Sequence, residues 1–171
     1  SRRVADDWLG EYVEAPMIAM AWHGSYLGYG YEPRRCEPTT EPRRPDYFQL
    51  SIRTNVPADQ ENPGDHPGEL VWQYEAFDYD EVLVGYDQHP GGEPNEPVFR
   101  YSVRLPPDAW FWQENDQVYW FSSVAVYRAA VDEIDHPWGW TNHARRFGSP
   151  AYDLSITGQG PVGGFLHDSS G

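Results

Sequence analysis

The chain has 171 residues, a length that suits a single domain with a sizeable core. Aromatic residues make up 16% of it, which is too many for a disordered chain, and no apolar run approaches the ~20 residues of a membrane helix, so we expect no membrane insertion. The formal net charge of −15 excludes nucleic acid as an expected partner, because binding to phosphates needs clustered cations.

Seven segments have the patterns of β-strands. In chain order they are residues 17–22, 48–53, 70–75, 82–86, 99–105, 118–127 and 152–156. The first, fourth and sixth are apolar on both faces, which predicts central strands, whereas the other four alternate apolar and polar residues, as half-buried antiparallel strands do. Seven or eight strands without a convincing helix predict an all-β protein, an antiparallel β-sandwich that is jelly-roll-like and has long loops rich in Pro and Gly.

The composition changes near the end of the chain. We expect residues 1–156 to form the sandwich domain and residues 157–171 to form a Gly-rich tail. Val162, Phe165 and Leu166 are the only large apolar residues of this tail. An extended segment of this kind can add to an open sheet edge of another chain, so the tail is predicted to be an inter-subunit docking arm.

Six short segments follow one another in a characteristic order. They are 5–8 (ADDW), 22–26 (WHGSY), 48–58 (FQLSIRTNVPA), 66–72 (HPGELVW), 118–122 (VYWFS) and 137–140 (PWGW). This succession resembles a family of uncharacterised secreted bacterial β-sandwich domains that are abundant in planctomycete-type genomes. The resemblance covers residues 5–156 and implies a jelly-roll-like fold and an extracellular or cell-surface location, but no known activity. The chain departs from the family pattern at residues 142–147 (NHARRF), where the family usually has a second acidic stretch.

Acidic residues offer one candidate metal site. Calcium takes six to eight oxygen ligands. Asp6 and Asp7 could share an ion with Asp153 if the terminal strands lie side by side, and the alternative is that Asp6 and Asp7 cap backbone amides in a turn. We expect that the domain requires no cofactor. Calcium is the ion that these acidic residues could bind.

Motifs for catalysis are missing, whereas tryptophans are abundant. The six histidines are scattered, and neither a metalloprotease motif nor a nucleophile elbow occurs, so we expect no enzyme activity. Four tryptophans are predicted to lie in or beside loops, where they could bind a carbohydrate or a protein partner: Trp110, Trp112, Trp138 and Trp140. The alternative is that these side chains are buried and fix the loops to the edge of the sandwich.

The sequence therefore favours a non-enzymatic extracellular structural or assembly domain, such as the subunit of a surface filament that self-associates through its termini. This hypothesis rests on the missing catalytic motifs, on the resemblance and on the loop-rich sandwich. The alternative hypothesis is a carbohydrate-binding module that holds a polysaccharide on its loop aromatics.

Overall fold

The computed structural model describes residues 6–9, 16–26, 29, 41–61, 64–87, 96–128 and 134–140. Eight strands and one short 3-10 helix lie in these ranges. They are β1 (Asp6–Leu9), β2 (Ala19–Tyr26), β3 (Tyr47–Val56), β4 (His66–Ala76), β5 (Asp80–Asp87), β6 (Glu96–Arg104), the 3-10 helix Pro107–Ala109, β7 (Val118–Val126) and β8 (Trp138–Trp140). The predicted strand at 152–156 and the predicted domain boundary at 156 lie outside the described residues.

The strands form two antiparallel sheets of four strands each. One sheet has the order β1-β7-β3-β4 and the other β5-β6-β2-β8, which confirms the predicted β-sandwich. The chain passes from one sheet to the other between β1 and β2, between β2 and β3, and again after β4, β6 and β7. The connections from β3 to β4 and from β5 to β6 stay within one sheet. No helix in the described ranges is long and apolar enough to cross a membrane.

The core between the sheets is largely aromatic. Phe48 on β3 and Trp22 on β2 are fully buried, and their rings contact each other edge to face across the sandwich with centroids 5.0 Å apart. Trp22 also packs on Tyr101 of β6, and Phe48 contacts Trp138 of β8. Because aromatic pairs of this geometry contribute about 0.5–1.5 kcal/mol beyond the burial of their area, the rings fix how the two sheets sit on each other.

One glycine determines how β8 packs beside β2. The register places Tyr26 opposite Trp138 and Gly24 opposite Trp140. A Cβ atom at Gly24 would lie 2.5 Å from Cζ2 of Trp138 and closer still to its Nε1 atom, so a side chain at this position would displace the indole. The segments 22–26 and 137–140, which are far apart in the chain, are therefore complementary parts of one packing unit.

Candidate functional site

The outer strand β5 carries a run of exposed apolar side chains. Val82, Leu83, Val84 and Tyr86 are each 47–55% exposed. β5 is the first strand of its sheet and pairs only with β6 among the described residues. The prediction that residues 82–86 form a central strand is therefore wrong. An apolar pattern on both faces usually indicates a strand covered on both faces, but this one lies at an edge where the rest of the described chain leaves it open.

Among the described residues β5 is, with β4, one of the two long strands at a sheet edge. Natural edge strands are blunted by shortness, by proline or by charge. The edges β1 and β8 have only four and three residues, whereas β4 has eleven, with Pro67 and Glu69 before and Glu75 after its uncharged run 70–74. β5 has eight residues, with Asp80 and Glu81 before and Asp87 after its uncharged run 82–86, and one register irregularity lies between Leu83 and Gly85. The exposed apolar edge of β5, residues 82–86, is thus a candidate docking site.

A buried carboxylate anchors this edge to the sheet. Glu81 precedes the apolar run, and its side chain is only 13% exposed. One of its carboxylate oxygens accepts a hydrogen bond of 2.5 Å from the Tyr26 hydroxyl, and the other lies 3.2 Å from Nε of Arg44. Since Tyr26 belongs to β2, these contacts connect β5 to a strand that is not its neighbour, and they hold the apolar edge in one position.

The phenols around Glu81 stay protonated at neutral pH. Burial raises the pKa of Tyr26 and that of Tyr101 far above the usual range, and it raises the pKa of Tyr79 to about 12. The Tyr101 hydroxyl is buried beside Tyr26 and Glu81. General acid–base catalysis works best with a pKa near the operating pH, so these phenols are suited to packing rather than to proton transfer.

The four predicted tryptophans separate into two pairs. Trp138 and Trp140 lie on β8 and are only 8% exposed, with their rings against Phe48 and Phe121. Their faces are part of the core, so the suggestion that all four bind a ligand has to be corrected: the pair on β8 packs the sandwich. Trp110 and Trp112 follow the 3-10 helix and are 36% and 58% exposed, so only this pair can offer ring faces to a ligand.

The segment that carries Trp110 and Trp112 is firmly held. Phe111, between them, exchanges two main-chain hydrogen bonds with Met17 and is buried. The indole N–H of Trp110 donates to the carbonyl of Leu105 at 3.1 Å, and the indole N–H of Trp72 on β4 donates to the carbonyl of Ala109 at 2.8 Å. The two exposed indoles therefore stand on a backbone whose conformation is fixed before any ligand arrives.

The predicted calcium ligands are not assembled in the described residues. Asp6 and Asp7 lie on β1 and pair with Phe121 and Trp120 of β7, whereas Asp153 lies outside the described ranges. No group of three or more potential metal-binding side chains occurs within those ranges. The calcium site stays a prediction.

Asp65, in the loop between β3 and β4, has hydrogen-bond partners within its own loop and on β3. It accepts hydrogen bonds from the side chain of Asn55 and from the backbone N–H of Ala58, at 3.0 and 2.8 Å. The hydrogen bond from Ala58 is the main reason that the pKa of Asp65 is lowered. This carboxylate stabilises the loop between β3 and β4.

A comparison with known families gives a match over most of the chain. A family described as a domain of unknown function, DUF7901, matches residues 1–160, a span that contains all eight described strands. The chain belongs to this family. Neither curated proteins nor solved structures give a match. Membership in DUF7901 assigns no activity to the domain, so its function has to be inferred from the surfaces of the structure.

Sequence reasoning missed the anchoring role of Glu81 and the open position of β5. Glu81 is one of several acids around the turn between β4 and β5, where acidic side chains are usually exposed to solvent. The one feature of the sequence that could have indicated the role of Glu81 is its position directly before the apolar run. An acid at such a position does not by itself indicate a buried contact, because the sequence does not show that Tyr26 lies beside it. The three tail residues Val162, Phe165 and Leu166, predicted to mediate assembly, lie outside the described residues.

Proposed function

We propose that this domain is a non-enzymatic structural module of the cell surface or extracellular space, which assembles when an extended segment of a neighbouring copy adds to the edge of β5. The observation that supports this most is the uncharged apolar run at residues 82–86 on a long edge strand. An open edge presents unpaired N–H and C=O groups, so an added strand gains main-chain hydrogen bonds as well as apolar contacts.

The free energy of one such contact follows from the exposed fractions of the four apolar side chains of β5. Fully burying a side chain such as Val or Leu stabilises by about 1.5–3 kcal/mol, and the four side chains of this edge are already half buried, so covering them contributes about 3–6 kcal/mol before the costs of association. A single contact of this size is weak. Assembly is therefore expected to depend strongly on the protein concentration.

Charge favours the tail over a second β5 as the added strand. Two antiparallel β5 strands would bring Asp80 of one copy close to Asp87 of the other, and like charges that lie opposite each other on paired strands are destabilising. Residues 160–167 (GPVGGFLH) contain no acid and include the three apolar tail residues. A contact between the tail of one copy and the edge of the next is head-to-tail, and repetition without closure makes a filament.

Arginines near both ends of the sandwich sequence add complementary charge. Arg2 and Arg3 precede β1, and Arg145 and Arg146 follow β8. In a head-to-tail array such cations can lie against the acids that flank the apolar edge of β5.

The experiment measures particle size over a range of protein concentrations by sedimentation velocity, with negative-stain images of the largest species. The double variant Val82→Lys/Val84→Lys places two charges on the edge, and Val71→Lys on β4 is the matched control, because Val71 is also an exposed valine on an edge strand. We expect the wild type and V71K to form larger species at high concentration and V82K/V84K to stay monomeric. Unchanged melting temperatures would show that the variants fold.

Deletion of residues 157–171 identifies the added strand. Loss of assembly in this variant supports the tail as the occupant of β5. Assembly of the deletion variant together with failure of V82K/V84K would keep the edge but reject the tail. A wild type that is monomeric at every concentration, or a V82K/V84K variant that assembles like the wild type, would contradict the proposal.

A further inference from the structure

A row of exposed side chains stands on the segment between β6 and β7. Residues 110, 112 and 114 are exposed, whereas Phe111 and Gln113 between them are buried. In an extended chain successive side chains point to opposite sides, so those two residues apart share one side and stand about 7 Å apart. The two indoles of Trp110 and Trp112 and the carboxylate of Glu114 therefore form one outward-facing row.

The buried members of this segment keep the row in place. Phe111 pairs with Met17, and the side-chain oxygen of Gln113 accepts a hydrogen bond of 2.9 Å from the indole N–H of Trp8. The backbone N–H of Glu114 donates to the Tyr119 hydroxyl at 3.0 Å. A ligand that binds to this row does not have to order the backbone, which lowers the entropic cost of binding.

The chemistry of the row is that of flat apolar surfaces with a hydrogen-bond acceptor at one end. Sugar rings whose hydroxyls are equatorial expose flat C–H faces that stack on indole, and their hydroxyls can donate to a carboxylate. A β-1,4-linked chain of such sugars is extended, so it can lie along the row and contact both indoles. We propose that Trp110, Trp112 and Glu114 form a binding site for a neutral β-1,4-linked polysaccharide. This proposal does not depend on assembly at β5.

Two other ligand classes fit the row less well. Nucleic acid bases also stack on aromatic side chains, but a chain of net charge −15 repels phosphates. Ammonium groups bind where aromatic rings surround the cation. Trp110 and Trp112 instead stand side by side on one extended segment, which leaves an open surface rather than a cage.

The test is native affinity electrophoresis in gels that contain hydroxyethyl cellulose, glucomannan or xylan, followed by calorimetry with the polysaccharide that retards the protein most. The variants are Trp110→Ala, Trp112→Ala and Glu114→Gln, and the matched control is Phe77→Ala, which removes an exposed aromatic side chain outside the row. We expect retardation of the wild type and of F77A. Each tryptophan variant should bind about tenfold more weakly, which corresponds to about 1.4 kcal/mol, and E114Q should show a smaller loss.

Three outcomes would overturn the proposal. The first is that none of the three polysaccharides retards the wild type. The second is that W112A, with an unchanged melting temperature, binds as tightly as the wild type, which would place any binding elsewhere. The third is that spermine competes at this row at low salt and is released at high salt, which would identify a cation site.

Discussion

Replacing Gly24 with alanine tests the packing unit that joins β2 and β8. In the folded protein the added methyl group would overlap the indole of Trp138, because the position of a Cβ atom at Gly24 lies 2.5 Å from Cζ2 of that ring. Both partners sit on paired strands, so neither backbone can retreat without breaking the register that places Tyr26 opposite Trp138. The indole itself must leave its place.

The expected loss of stability follows from the contacts that the Trp138 indole makes in the core. Trp138 packs edge to face on Phe48 at 4.9 Å and on Tyr101 at 5.8 Å. Overpacking a core costs about 1–3 kcal/mol when the surroundings can adjust, and removing a tryptophan from a core costs about 3–5 kcal/mol. Because the overlap involves the ring itself and not the end of a flexible chain, we expect Gly24→Ala to lower the free energy of unfolding by about 3 kcal/mol.

The assay is equilibrium unfolding in guanidinium chloride, followed by circular dichroism so that changes in tryptophan fluorescence do not interfere. Gly85→Ala is the control, since Gly85 also lies in a strand of the same sheet and a Cβ atom there would have no neighbour within 4 Å. In a Trp138→Ala background Gly24→Ala should cost little, because the space is then open. A loss below about 0.5 kcal/mol for Gly24→Ala, or the same loss in both backgrounds, would refute the reasoning.

Three further predictions concern hydrogen bonds, pH and metal. Trp8→Phe should cost about 1–3 kcal/mol in the same assay, because it leaves the buried amide oxygen of Gln113 without its donor, and Trp8→Phe/Gln113→Leu should recover part of this loss. Burial raises the pKa of Tyr26 and of Tyr79, so the stability is complete below pH 10 and should fall above it by about 1.4 kcal/mol per pH unit for each phenol that ionises only on unfolding; constant stability up to pH 12 would contradict this. If the three aspartates predicted to hold calcium bind an ion, EDTA should lower the melting temperature, and an unchanged melting curve would rule out a structural ion.

The sequence was sufficient to predict most of the strands and, for β3 and β6, the side that is buried. Phe48, Leu50 and Ile52 alternate with polar residues, and all three are fully buried on β3. This prediction works because successive side chains of an extended strand point to opposite faces. Whether two residues share a face therefore depends only on their spacing in the local sequence. The same local pattern placed Tyr101 and Val103 in the core.

Tertiary structure alone decided which apolar residues stay exposed. Residues 82–86 and 118–126 have similar apolar patterns, yet β5 lies at an edge and β7 between two neighbours, because pairing is set by distant parts of the chain. Trp112 and Trp138 also look alike in sequence. Trp138 is buried because β8 pairs with β2, where Gly24 has no side chain and leaves room for the indole ring. Trp112 is exposed because its neighbours Phe111 and Gln113 are the residues of that segment that point into the protein. Burial depends on what the folded chain places opposite a residue, and a local pattern does not contain that information.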